Sequence, residues 1–173
     1  MLLGGPARMS EAGAPPLMQR QAVVAFNHDY DAAALPALRT LGCAIEATGP
    51  SFHLSEATHL YTKWDRAGAA AKQASDRVQK LRVPFLLSRL RRSQMAAGLA
   101  SKRRGYLERV AGIDRFKAYL NAIGAGGGAG DLAESNKLMT ISGRSLTIGR
   151  RRLERVARET GAPIIPAVIG TCG

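Results

Sequence analysis

The run Ser101-Lys102-Arg103-Arg104-Gly105-Tyr106-Leu107-Glu108-Arg109-Val110 gathers the groups on this chain best suited to chemistry, and that chemistry is anion binding. It lies in the stretch 77–117, which holds twelve of the chain's 25 basic residues against only Glu108 and Asp114, a local balance of +10. Arginine offers a planar fork of donors matched to phosphate oxygens, and lysine a mobile point charge. Here they alternate with apolar residues at helical spacing, so that one face packs while the other stays charged. Such a surface needs a polyanion, because every phosphate it neutralises releases counterions. The whole chain points the same way: 173 residues carry a formal net charge of +12, which an isolated globule would hold against self-repulsion.

Catalysis finds no comparable grouping. The carboxylates are scattered, no Gly-x-Ser-x-Gly or phosphate-binding loop occurs, and the glycines of 124–130 lack the lysine and the strand-to-helix setting of a nucleotide site. The expectation is a non-enzyme without cofactor. His28, His53 and His59 are too dispersed for metal ligation. Cys43 and Cys172 form no CxxC pair, which suggests neither zinc nor a disulfide framework and fits a reducing, intracellular compartment. No run reaches the roughly 20 apolar residues of a membrane span. The first 28 residues carry Arg8 and Arg20 against Glu11 alone among several Ala, Gly and Pro, a composition leaning toward organelle targeting.

The elements that would hold the basic run read as helices. Residues 1–20 are expected to form an extended arm, because Pro6, Pro15 and Pro16 break any period. Ala22 to Phe26 reads as a short buried strand, and Asp31 to Leu41 as a short helix interrupted at Pro36. A first amphipathic helix is expected from Ser55 as N-cap, through Leu60, Tyr61 and Trp64, to a stop at Gly68. A second, capped at Ser75-Asp76, would bury Val78, Leu81, Phe85, Leu86 and Leu90. Pro84 would either kink it or mark its true start near Val83. After a small-residue turn at 96–100, a third helix is expected over 101–123, burying Leu107, Val110, Phe116 and Leu120, with Gly112 a weak point. The segment 124–130 reads as a flexible linker, and 150–158 as a basic helix ended by Gly161 and Pro163. The apolar end, 164–169, is expected to pack on a neighbour.

From Leu54 to Ile123 the chain resembles the fifteenth protein of the small ribosomal subunit, a family universal in bacteria and organelles. The resemblance is carried by Arg103, Arg104, Gly105, Leu107, Val110, Arg115, Tyr119 and Leu120, ungapped over eighteen positions, and upstream by Leu54 to Thr58 and by Val78, Gln79 and Leu81. The chain departs from the family before the second helix and before Arg103, where a Gly-Asp-Thr-Gly-Ser turn and a His/Asp-rich turn are replaced by 68–75 and 96–101. The resemblance implies binding of small-subunit rRNA near a central-domain junction, beside neighbouring small-subunit ribosomal proteins. Large-subunit rRNA at an intersubunit bridge is a further expected contact. The long ends are similar to those that organellar ribosomal proteins acquire, which implies a mitochondrial matrix ribosome.

The expected fold class is therefore mainly α, a core of three to four helices with extended N- and C-terminal tails. The expected segments are an N-terminal extension (1–50), a helical rRNA-binding core (51–123), a Gly-rich linker (124–130) and a basic C-terminal extension (131–173). The expected RNA-binding residues are Gln79, Arg89, Arg92, Ser101, Lys102, Arg103, Arg104, Gly105, Arg109 and Tyr119. In this reading Gly105 lets the RNA backbone come close and Tyr119 stacks on an unpaired base. Tyr106 and Trp64 are expected in the core. The competing reading is a basic accessory subunit of an organellar membrane complex, docking on acidic protein or cardiolipin without inserting.

Overall fold

The computed structural model describes residues 13–49 and 53–164. They form four long helices, α1 (Pro16–Thr48), α2 (Ala57–Lys80), α3 (Arg89–Ala122) and α4 (Ala129–Thr160), with single 3₁₀ turns at Leu54–Glu56 and Ile123–Ala125. The expected mainly α class, with a three- to four-helix core, is what the chain adopts. Both segments expected as extensions contribute a full helix to that core, and the ends expected as tails, 1–12 and 165–173, lie outside the described residues.

Two apolar clusters mark the two ends of the bundle. One joins Val23, Phe26 and Tyr30 of α1 to Ala74 and Val78 of α2, Met95, Leu99 and Tyr106 of α3, and Leu146, Leu153 and Val156 of α4. The other joins Leu41 and Ala44 to Leu60, Trp64 and Ala67, and to Ile113, Phe116 and Leu120, with Leu132 and Met139 packed alongside. The late part of each helix therefore meets the early part of the next, an antiparallel up-and-down bundle. Alanines at 33, 34, 37 and 44 on α1 and at 67, 71 and 74 on α2 are all buried, so these two helices meet through small side chains. Arg91 fastens one end of the bundle: its guanidinium donates to Gln19 Oε1 at 2.6 Å and lies 3.4 Å from Glu159, bridging α1, α3 and α4.

Helices α3 and α4 approach most closely, and their sequences show why. Gly98, Gly105 and Gly112 recur every seven residues on α3, and Ser135, Ser142 and Gly149 recur every seven on α4. Antiparallel register pairs them. Ser142 Oγ donates to the Gly105 carbonyl at 2.8 Å, Ser135 Oγ donates to the Gly112 carbonyl at 2.8 Å, and a methyl group on Gly149 would stand 2.8 Å from the Gly98 carbonyl. A seven-residue repeat keeps the same stripe facing the partner helix. Small residues on that stripe let the backbones come close, and the buried hydroxyls find acceptors in the facing main chain.

Several local expectations are corrected. Ala22 to Phe26 is helix, not strand, because its apolar run continues at three- and four-residue steps through Tyr30, Ala33 and Ala37. For the same reason the expected arm ends early, with helix from Pro16, where two prolines fit a helix start. Pro36 lies inside α1 without ending it; it is on the exposed side, where the carbonyl left unbonded faces solvent rather than the core. Gly68 does not stop α2 but is buried within it, where an added methyl would stand 3.2 Å from Ile113. No helix starts at Ser75 or Val83: α2 runs on to Lys80, and Pro84 sits in the connection to α3, which Ser88 caps by accepting from Arg91 N. Phe85 and Leu90, expected in the core, are 74% and 67% exposed, and Leu107 is also exposed. The expected turn at 96–100 is helical, so only the end of the expected second helix joins the third in α3, while its start belongs to α2.

The remaining expectations fare differently. The glycine segment separates α3 from α4, with Gly126 and Gly128 at positive φ, but it is shorter than the linker expected over 124–130, because Gly124 and Ala125 belong to a 3₁₀ turn and α4 begins at Ala129; α4 ends at Gly161. Cys43 is not a free thiol, so the inference of a reducing compartment loses that support; Cys172 lies outside the described residues.

Gly105→Ala tests the close helix pair. An added methyl would stand 2.6 Å from Leu146 Cγ and 3.0 Å from the Leu146 backbone nitrogen, so the expected result is a loss of about 1–3 kcal/mol. Gly143→Ala, on α4 with open space around it, should instead gain about 0.5–1 kcal/mol from helix propensity. Denaturant unfolding of the two variants should give opposite signs.

Candidate nucleic-acid interface and a buried basic cavity

The ten residues expected to contact RNA fall into three groups. Gln79 on α2 and Arg89, Arg92, Arg103 and Arg104 on α3 are exposed. Arg89, Arg92 and Arg103 lie on one outward stripe, continued by Ala96, Ala100 and Leu107 at steps of three and four residues. Helix α4 carries a matching outward stripe of Arg144, Arg151, Arg155 and Arg158. Among the described residues Arg89, Arg92, Arg103, Arg144, Arg151 and Arg155 have no carboxylate within salt-bridge distance. Arg104 differs, since its guanidinium holds Glu108 at 2.7 Å one turn along.

The second group is half-buried. Ser101 donates to the Ala97 carbonyl and lies 3.3 Å from an Arg152 guanidinium nitrogen, so its hydroxyl serves the α3–α4 contact. Tyr119 packs on Phe116 with ring centroids 5.8 Å apart, and its backbone lies against Gly128. It is engaged in the bundle rather than presented as a stacking platform. The third group points inward. Gly105 is buried at the seam with α4, so its missing side chain admits Leu146 and not an RNA backbone. Lys102 is half-buried and Arg109 is 9% exposed.

Lys102, Tyr106 and Arg109 share one face of α3 at steps of four and three residues, and they line a cavity of about 530 Å³. Its walls are α1, through Asn27, Tyr30, Asp31 and Arg39, and α4, through Leu146, Arg150, Leu153 and Glu154. Asn27 is held by donating to the Pro163 carbonyl at 3.1 Å. Tyr30 and Tyr106 lie near enough for each to bear on the other's ionisation. Burial, and for Tyr30 also the Tyr106 hydroxyl, raises both phenols above their usual range. The Lys102 ammonium lies 5.5 Å from the Tyr30 ring centroid, and Gly149 leaves room for its stem. Burial, with Arg150 and Arg109 nearby, pulls its pKa down to about 8. Burial likewise penalises the charge of Arg109, whose Nε and one terminal nitrogen have no hydrogen-bond partner.

By charge and spacing alone Lys102 and Arg109 group with the surface arginines. The signal separating them was the position of Tyr106: a buried tyrosine between them at helical spacing places all three on the core side. Trp64 and Tyr106 occupy the core as expected, with Trp64 Nε1 donating to Thr48 Oγ1 at 2.9 Å. No protein-family model, no curated protein and no solved structure matches this chain.

The depressed Lys102 pKa sets a pH dependence of stability. Between about 8 and the ordinary value of 10.5 the unfolded chain holds a proton that the folded chain has released, so stability rises with pH across that window. Lys102→Met should flatten this rise, read as the difference between wild-type and variant unfolding free energies from pH 7.5 to about 10.

Proposed function

We propose that this chain is a structural RNA-binding protein, whose outward arginine stripes on α3 and α4 grip the sugar-phosphate backbone of a folded RNA. The observation that carries the reading is the set of exposed guanidiniums without acid partners, Arg89, Arg92 and Arg103 on α3 and Arg144, Arg151 and Arg155 on α4. Unpaired arginines on two rigid helices are held near one another only at a cost in mutual repulsion, and a phosphate chain removes that cost. Double-stranded RNA is recognised largely through its backbone and shape, which suits a helical surface bearing many cations and few exposed aromatic rings.

The resemblance across 54–123 supports a narrower form of the proposal: small-subunit rRNA at a central-domain junction, in a mitochondrial ribosome. Of the residues carrying that resemblance, Arg103 and Arg104 are exposed, whereas Gly105 is spent on helix packing. Clamping in this mechanism is electrostatic, with no base-specific step. RNA strands that repel one another at a junction are held by cations whose spacing the helices fix. Among the described residues no helix is long and apolar enough to cross a membrane.

The decisive test is a salt titration of binding to a three-way-junction RNA and, in parallel, to cardiolipin vesicles. Replacing Arg92 and Arg103 together by Ala should weaken RNA binding and reduce the slope of log K against log salt by roughly 1.5–2 units. Replacing Arg115, which pairs with Asp131 at 3.1 Å, should change the slope less. An unchanged slope in the double variant, or vesicles bound in preference to RNA, would sink the proposal.

A further inference from the structure

We propose that the cavity between α1, α3 and α4 is a binding site for a small organic oxyanion, a carboxylate or phosphate carried on an apolar body, with Arg109 as its anchor. The Arg109 side chain lines the cavity, the residue is only 9% exposed, and two of its nitrogens donate to nothing. A buried lysine can shed its proton, but a guanidinium stays charged, so its burial calls for an acceptor.

The protein does not supply one. Of the two carboxylates on the cavity wall, Glu154 is already engaged by Arg150 at 3.5 Å and by Arg158 at 4.0 Å, and Asp31 makes no salt bridge with Arg109. Around Arg109 the cavity also presents several donors. They are the Lys102 ammonium and the hydroxyls of Tyr30 and Tyr106. Arg39 from α1 and Arg150 from α4 add positive charge at the wall. Convergent donors from three helices around one buried guanidinium suit a group with several acceptor oxygens. The rest of the wall, including Leu35, Leu38 and Leu146, is apolar and takes a hydrocarbon or ring. A volume of about 530 Å³ is that of a small-molecule site.

Lys102 gives the site a pH signature. The groups facing it are Tyr30, Asp31 and Arg39 from α1, Tyr106 and Arg109 from α3, and Arg150 and Glu154 from α4. Without ligand it is half-deprotonated near pH 8, and a bound anion favours its charged form. Binding therefore takes up a proton above that pH, and affinity falls as pH rises, approaching tenfold per unit.

The proposal is independent of the RNA reading, whose arginines face outward. Calorimetry and thermal shift on the full chain would use octanoate and octyl phosphate as probes, with 1-octanol and inorganic phosphate for comparison. Saturable one-to-one binding of octanoate or octyl phosphate is expected, at least tenfold tighter than 1-octanol, and the tighter of the two anions tells carboxylate from phosphate. Arg109→Gln should weaken it at least tenfold while leaving the salt slope of RNA binding unchanged. Should that variant fail to fold, Lys102→Gln should still bind more weakly and lose the pH dependence above 8. The proposal is overturned if neither anion binds up to millimolar concentration, or if 1-octanol binds as tightly as they do. It also falls if affinity survives Arg109→Gln or, where that variant does not fold, Lys102→Gln.

Discussion

Close approach between α3 and α4 is the constraint on which the other features rest. Two helices can bring their backbones together only where neither projects a side chain, and the pairs Gly98 with Gly149, Gly105 with Ser142, and Gly112 with Ser135 clear that path over three successive heptads. The serines do more than stay small: each donates its buried hydroxyl to a glycine carbonyl on the facing helix, so polar groups that would be costly if left unpaired become register marks. A slip by one turn would bring larger side chains against the glycines and strand both hydroxyls. Length, register and direction of the α3–α4 pair are thus set by the same six positions.

Packing elsewhere follows from what that pair leaves over. With α3 and α4 joined through small residues, the large side chains of α3 turn toward α1 and α2, where Tyr106, Ile113 and Phe116 form the core with Phe26, Tyr30, Leu60 and Trp64. The seam between α1 and α4 is not closed in the same way; tyrosines and long basic side chains border it, and a cavity remains. Lys102 shows the coupling directly, because the space its stem occupies exists only where residue 149 has no side chain.

Charge is distributed by the same geometry. Helix α3 carries arginine around much of its circumference, and its role depends on which way each one points. Arg89, Arg92 and Arg103 project into solvent, Arg91 is spent on clamping α1 to α4, and Arg109 is carried into the interior. A strongly basic sequence therefore yields two separate electrostatic environments, an open surface suited to a polyanion and a partly enclosed pocket suited to a single anionic group. In water the first is screened within about 8–10 Å, whereas the second is screened far less.

Helical class, a glycine-rich break between α3 and α4, the end of α4 at Gly161 and the core positions of Trp64 and Tyr106 were legible in the amino-acid sequence, because periodicity, glycine and aromatic placement are local properties. Net charge, and hence the need for an anionic partner, was legible for the same reason. Helix limits were not: Gly68 and Gly98 read as stops, yet each is buried in a helix because a neighbouring helix rewards the missing side chain by more than propensity costs. The inward turn of Lys102 and Arg109 was likewise decided only by tertiary structure. Spacing along one helix places residues on a common face, but whether that face meets water, RNA or another helix depends on where the other three helices pack.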